Sequence, residues 1–304
     1  MTSRRSSAAP PRKPARPRTL RPPRRSASPG ARTWPRLTDR YQLGGSGVGV
    51  SPICLGRVDS PDIIPAAFDA GINFFFVTAD MHWPIYEATR RGLAQLFARG
   101  GGVRDDVVVG VVSYVAQPEF LRAPFTEVVE AISGMQRVDV SIIGGAYAAD
   151  LTTRLIHYQD HRRGDVLGVR GIGATFHDRP ACAHAINHDL IDIGFVRYNP
   201  RHRGAEHDVF TGLKRNAALL YNFKSTMPFL GDEQFRTLGL GPGYWQPRIT
   251  DYYRFALSRL ELDGLLCAFD RPEHVAELAD ALAAGPLDAQ QLEHLARLAD
   301  RSGR

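Results

Sequence analysis

The sequence predicts one α/β domain, a parallel (β/α)₈ TIM barrel, preceded by a disordered N-terminal tail. Three observations carry this expectation. Eight short apolar runs alternate with helix-period segments between residues 53 and 283, which suits a closed parallel barrel better than an open sheet. One run, residues 107–112, is continuous and rich in valine, the pattern of a strand buried on both faces. The composition also changes sharply after Pro35. Residues 1–36 carry eleven Arg and Lys and no acidic residue; subtracting these from the chain's 38 leaves 27 basic residues against 32 acidic ones in 37–304.

The elements follow in order. Residues 41–51 are apolar positions broken by glycines, as in a hairpin. Strands are expected at 53–55, 73–77, 107–112, 138–143, 166–172, 191–196, 217–222 and 264–267. Helices are expected between them at 61–70, 84–98, 125–135, 151–162, 179–187, 249–260 and 272–283. In the helix at 84–98, Tyr86, Leu93, Leu96 and Phe97 are spaced for one buried face. Asp270-Arg-Pro-Glu273 reads as a capping box for the helix at 272–283, and a last helix, 288–301, follows the barrel. At 304 residues with 43% hydrophobic content, one large core accounts for 37–304 as a single domain.

Charge and cysteine content exclude several function classes. The sequence pI of about 9.4 is made by the tail, whose Arg and Pro carry no pattern of interleaved aromatics, Trp34 being the single one; the body is net negative. No specific nucleic-acid partner is therefore expected. Eight prolines in the first 36 residues would break the amphipathic helix of a transit peptide, and no apolar segment follows the Arg-Arg pairs. No apolar run is long enough for a membrane span. Cys54, Cys182 and Cys267 are far apart without a CxxC pattern, so a reducing, cytoplasmic setting is the default.

A parallel barrel does its chemistry at the carboxyl ends of its strands. Asp80 and His82 lie two apart just beyond the second expected strand, where a carboxylate would orient an imidazole for proton exchange near neutral pH. Tyr114 and Tyr147 follow the next two strands and would add hydroxyls. His177 follows the fifth strand, while Asp178 is placed to cap the next helix. Two histidine pairs at i,i+4, His157/His161 and His184/His188, lie on outer helices and read as solvated faces; no metal is expected. Gly239-Leu-Gly-Pro-Gly243 lacks the lysine and the strand–helix setting of a phosphate loop and reads as flexible.

Three stretches, in order, resemble the aldo/keto reductases. They are Gly44 to Gly56, then Ala70-Gly-Ile-Asn-Phe-Phe-Phe-Val-Thr-Ala-Asp80, then Val169-Arg-Gly-Ile-Gly-Ala-Thr-Phe-His177 with Arg197-Tyr-Asn199 and Gly204-Ala-Glu206. The resemblance spans roughly residues 40 to 301 and implies a barrel of aldo/keto reductase type. That family reduces carbonyls with NADPH through an Asp, Tyr, Lys and His tetrad. Here Val77 stands where the aspartate belongs and His82 where the tyrosine belongs. Val111-Val112-Ser113 occupies the lysine's strand end and Gly144-Gly145 the histidine's. No lysine occurs between Lys13 and Lys214, so the tetrad is substituted. For the cofactor, the resemblance assigns Tyr221 to stacking on the nicotinamide, Thr175 and Asn199 to its carboxamide, and Arg271 to the 2′-phosphate. Phe195 replaces the family's glutamine, and Asp270 would repel the phosphate.

Three functions are compatible with these residues. The first is atypical or non-redox acid/base chemistry on a small molecule by Asp80, His82, Tyr114 and Tyr147. The second is NADPH-dependent carbonyl reduction with a replaced tetrad. The third is a silent barrel acting as a ligand-binding or partner subunit. On charge alone, deleting residues 1–36 should abolish most retention on a cation exchanger near pH 7. A tail that buries so little should also leave the melting temperature unchanged when removed. Chromatography and thermal melts of the truncated chain check both outcomes.

Overall fold

Eight runs of valine, isoleucine, leucine and phenylalanine interspersed with glycine become eight parallel strands, and the segments between them become the helices that cover their outer face. The computed structural model describes residues 33–302 apart from 165–166, 215–216 and 242. A short antiparallel hairpin, β1 (Tyr41–Gln42) and β2 (Gly49–Val50), comes first. The barrel strands are β3 (Ile53–Val58), β4 (Phe74–Thr78), β5 (Val108–Ser113), β6 (Val140–Ala146), β7 (Gly171–Phe176), β8 (Ile193–Arg197), β9 (Leu219–Phe223) and β10 (Gly264–Phe269). The helices are α1 (Ile63–Asp69), α2 (Glu87–Phe97), α3 (Val103–Asp106), α4 (Ala123–Ala131), α5 (Leu151–Arg163), α6 (Arg179–Asn187), α7 (Ala205–Asp208), α8 (Asp232–Thr237), α9 (Ile249–Leu257), α10 (Glu273–Ala283) and α11 (Ala289–Ser302). Each barrel strand pairs in parallel with the next, and β10 closes the ring on β3.

The two faces of the strands form two separate cores. Outward residues such as Phe75, Val77, Val109 and Val111 pack under the helices. Inward residues Cys54, Phe74, Phe76, Val112, Ile142, Phe195 and Tyr221 fill the barrel, and Leu43, Val48 and Val50 of the hairpin segment close its amino-terminal end. Filling depends on pairing large residues with absent ones. Phe74, Phe76, Phe195 and Tyr221 meet edge-on or tilted at 5.7–6.5 Å. The space they need is left by Gly110, where a Cβ would lie 2.8 Å from Ile142, and by Gly173, where it would lie 3.0 Å from Ile193.

Carboxylates set where strands begin. Asp139 is wholly buried and accepts from the backbone N–H of Val109 (2.9 Å) and from Arg104, Arg137 and Arg170. Asp192 accepts from Ile172 N–H (2.8 Å) and Asp263 from Leu220 N–H (2.7 Å). Each aspartate immediately precedes a strand, β6, β8 or β10, and ties the strand before it at the amino-terminal end.

These ties explain the main departures from the sequence reading. Strand β7 runs 171–176 rather than 166–172, because Arg170 and Gly171 both donate to the Asp139 carbonyl and the strand pairs only from there. Strand β6 extends to Ala146, so Gly144 and Gly145 lie within it rather than beyond it. Helix α2 starts at Glu87, after a 3₁₀ turn, Trp83–Tyr86, that redirects Tyr86. No side-chain cap forms at Asp270, which instead lies 3.9 Å from Arg57. His161 does not lie on a solvated face: it is buried between Phe125 and Tyr158, with ring centroids 5.1 and 5.0 Å away.

The tail boundary also moves. What was expected of the tail before residue 33 lies outside the described residues. Trp34, assigned to the tail by composition, donates its indole N–H to the Leu282 carbonyl (2.7 Å), and Pro35 and Leu37 are buried. Deleting 1–36 therefore removes a docked anchor, and the truncation expected to leave melting unchanged ends at residue 32.

Burial, with the charge of Arg122, pushes the His161 imidazole down from 6.5 to about 4. The native state therefore keeps it neutral while the unfolded chain protonates near 6.5. Stability is complete above that pH and falls as pH drops from about 6.5 to about 4, by on the order of 3 kcal/mol. His161→Phe should remove this part of the acid sensitivity. Denaturant midpoints at pH 7 and pH 4.5 check it, and equal losses in both proteins would overturn it.

Candidate active site at the barrel mouth

The loop after β4 is held by Asp80. Its carboxylate accepts from the Ser113 hydroxyl (2.6 Å) and the Tyr114 N–H (2.8 Å) on one oxygen, and from Met81 N–H (2.6 Å) on the other. Its carbonyl accepts from Trp83 N–H at 2.7 Å, which closes the turn that carries His82. Behind it, the buried Arg154 of α5 donates to the carbonyls of Ser113 (3.1 Å) and Gly144 (3.0 Å) and to the Asp150 carboxylate (3.2 Å). The ends of β4, β5 and β6 are thereby stitched together.

Tyr114 lies across the Gly144–Gly145 backbone. A Cβ on Gly144 would come within 2.7 Å of its ring, so this approach requires glycine. Burial raises the Tyr114 phenol, and the Asp80 charge raises it further, so it remains a protonated donor at neutral pH. The exposed His82 ring meets Tyr114 edge-on, 5.5 Å between centroids at 83°. Asp80 does not orient His82 through a carboxylate contact, as the spacing suggested. Its oxygens are engaged by Ser113, Tyr114 and Met81.

The structure thus brings Asp80, His82 and Tyr114 together and leaves Tyr147 apart. Tyr147 is 52% exposed, its amide donates to Asp150 (3.0 Å), and no contact joins it to the other three among the described residues. With Met81, Ile85 and Phe120 it gives the β4–β6 side an exposed apolar rim. Helical spacing placed Tyr86 in the core under a helix. It packs against that core and also reaches into the barrel, 6.3 Å from Phe76, and burial raises its phenol strongly. Nothing in the periodicity signals this, because the 3₁₀ turn shifts its direction. Asp178 does cap α6, accepting from Ala181 N–H (3.1 Å).

The positions assigned to a nicotinamide do not fit it in this arrangement. Tyr221 is fully buried in the barrel, its hydroxyl donating to the Ser51 carbonyl (2.7 Å) near the amino-terminal end, with Phe74 and Phe195 packed against its ring. Asn199 is also fully buried. Its amide nitrogen donates to Lys224 O (2.8 Å), and its oxygen accepts from Arg201 N–H (3.0 Å) and His202 N–H (2.9 Å). Thr175 Oγ1 accepts from Gly145 N–H (2.8 Å). Arg271 alone is exposed, its guanidinium 3.1 Å from His274 Nε2. A cleft of about 500 Å³ lies to one side, lined by Phe229, Gln246, Arg248 and Glu277 among others, and none of the sequence-predicted site residues borders it.

Among the described residues, no three His, Cys, Asp or Glu side chains converge as a metal cage. No described helix is long and apolar enough to cross a membrane.

No family model and no curated protein matches the sequence. Solved structures do. Aldo-keto reductase AKR11C1 from Bacillus halodurans, in its holo form, superposes with a TM-score of 0.65 at 14% identity, covering 85% of this chain and 95% of that one. The barrel has the aldo-keto reductase fold. The apo form of the same protein gives 0.63 with the same identity and coverage. A proposed aldo-keto reductase of Pseudomonas aeruginosa gives 0.60 at 15% identity, covering 82% of this chain and 98% of that one. The aldo-keto reductase fold thus accounts for the closed ring of eight parallel strands.

Proposed function

We propose that this aldo-keto reductase-like barrel acts on a small molecule by acid/base chemistry at its mouth, with His82 exchanging the proton. The observation that carries this reading is the His82–Tyr114 pair, placed by Asp80 at adjacent strand ends. An imidazole transfers protons near neutral pH without the lysine that a phenol acid would need. Tyr114 donates a hydrogen bond to a substrate oxygen, and Asp80 is the positioning residue that fixes both loops. Chemistry of this kind requires no hydride donor, and the absence of lysine between Lys13 and Lys214 favours it over carbonyl reduction. A reducing, cytoplasmic setting and a bacterial source belong to the same proposal.

His82→Ala should lower turnover by about 10²–10⁴-fold, the range for losing a positioned acid or base. Its melting temperature should not change, because the ring is exposed. Asp80→Asn should lower turnover less, yet also lower the melting temperature, because three hydrogen bonds end on its carboxylate. Hydrogen–deuterium exchange into a panel of small ketones and hydroxyketones, followed by NMR, provides the assay. Full exchange activity in His82→Ala would sink the assignment.

Nicotinamide dinucleotide is the runner-up ligand, favoured by the neighbouring holo fold alone. With Tyr221, Asn199 and Thr175 engaged internally, NADPH should bind with a dissociation constant on the order of 0.1 mM or weaker. Tyr221→Ala should leave that affinity unchanged while lowering stability. Fluorescence titration decides it: micromolar binding lost in the Tyr221 variant would promote the reductase reading.

A further inference from the structure

The opposite sector of the mouth, at the ends of β7, β8 and β9, carries a different chemistry. Strand alternation sends Ile193 and Phe195 into the barrel, and Arg197, the last residue of β8 and in register with Phe223, continues that inward row at the mouth. Lys224 follows β9 directly. His177 follows β7 and packs its ring edge-on against Phe223 at 5.5 Å. Asn199 holds the remaining parts in place: it accepts from His202 N–H, lies 3.3 Å from His202 Nδ1, and donates to the Lys224 carbonyl. That clamp maintains Lys224 at φ +58°, a left-handed conformation unfavourable for a lysine and tolerated only where neighbouring groups enforce it.

The charges in this sector are uncompensated. Arg179, Arg203 and Arg259 nearby each pair with a carboxylate, from Asp208, Asp300 and Glu206. Buried arginines elsewhere do the same, as Arg104 with Asp139 and Arg254 with Asp251. Among the described residues no carboxylate pairs with the half-buried Arg197 or with Lys224. Both imidazoles sit below their ordinary value. For His177 the cause is burial, then Lys224 and Arg197; for His202 it is burial, then Arg197, Arg201, Arg179 and Lys224. The charges that lower the two rings are all cations. A partly desolvated guanidinium in such a field is costly unless something negative meets it.

We propose that Arg197 and Lys224, with His177 and His202 beside them, bind the anionic oxygen group of the substrate, a carboxylate or a phosphate ester. This deepens the acid/base reading of the mouth and rests on it for the word substrate. The planar guanidinium fork matches either group in two parallel hydrogen bonds, and the ammonium adds a point charge. The neutral imidazoles each supply one N–H donor without adding net charge. Anchoring the anion on the β7–β9 side would hold the rest of the molecule toward His82 and Tyr114 across the mouth.

The test uses the full chain and the imidazole C2 proton signals of His177 and His202, assigned with His177→Gln and His202→Gln. Inorganic phosphate and acetate are titrated separately at ionic strength kept constant with chloride, and NADP⁺ forms a third arm. Both rings should shift saturably with phosphate and with acetate, at dissociation constants of roughly 1–10 mM for probes this small. Arg197→Gln should weaken both at least about 10-fold and Lys224→Gln about 3-fold, while Lys214→Gln, a distant exposed lysine, should change nothing. Anions attracted to the basic tail do not report through these rings. If Arg197→Gln fails to fold by circular dichroism, Lys224→Gln decides. Unmoved rings in wild type, or shifts that persist in the variants, overturn the site. Ring shifts seen only with NADP⁺ and lost in Arg197→Gln assign it to a cofactor phosphate and overturn the substrate reading. Proton exchange that survives His82→Ala while phosphate still binds removes the acid/base reading and leaves the anion site standing.

Discussion

Closing eight parallel strands leaves an interior that only side chains can fill, and this constraint shapes everything above it. Phe74, Phe76, Phe195 and Tyr221 supply the volume, and Gly110 and Gly173 supply the room. Each fully buried aromatic contributes about 2–3 kcal/mol by removal from water, with up to about 1 more from edge-on pairing. The same filling decides what the mouth lacks. Phe195 and Tyr221 stand where the family resemblance places a glutamine and a stacking tyrosine. Here they form the packed floor of the barrel, below the strand ends that carry polar groups.

Aspartates hold both ends of that barrel by the same chemistry, a carboxylate accepting backbone N–H groups from a neighbouring strand or its end. Asp139, Asp192 and Asp263 do so at the amino-terminal end, and Asp80 does so at the mouth. A carboxylate engaged in this way orders the loops around it. Beside it, the His82 ring is exposed and leans on Tyr114.

Electrostatically the mouth has two halves. The β4–β6 half balances its charges internally, Asp150 with Arg154 and Asp80 with three donors. Among the described residues, the β7–β9 half leaves Arg197 and Lys224 without carboxylates. Its clamp is Asn199, a residue the family resemblance had assigned to the cofactor and the structure uses to set the loops around Lys224 and His202.

The barrel was legible in the sequence because strand burial and helix amphipathicity are written in local periods, and eight alternations leave few other closures. His82 and Tyr114 were legible for a related reason: residues just past a strand lie at the mouth whatever their neighbours do. The tertiary structure alone decided which of these groups remain available. Tyr221 bonds to Ser51, 170 positions away, and Asp80 to Ser113, 33 away. Trp34 reaches Leu282, 248 positions along, and so belongs to the body rather than the tail. Contacts of that span follow from how strands close and stagger, and a linear pattern with periods of two and 3.6 residues carries no record of them.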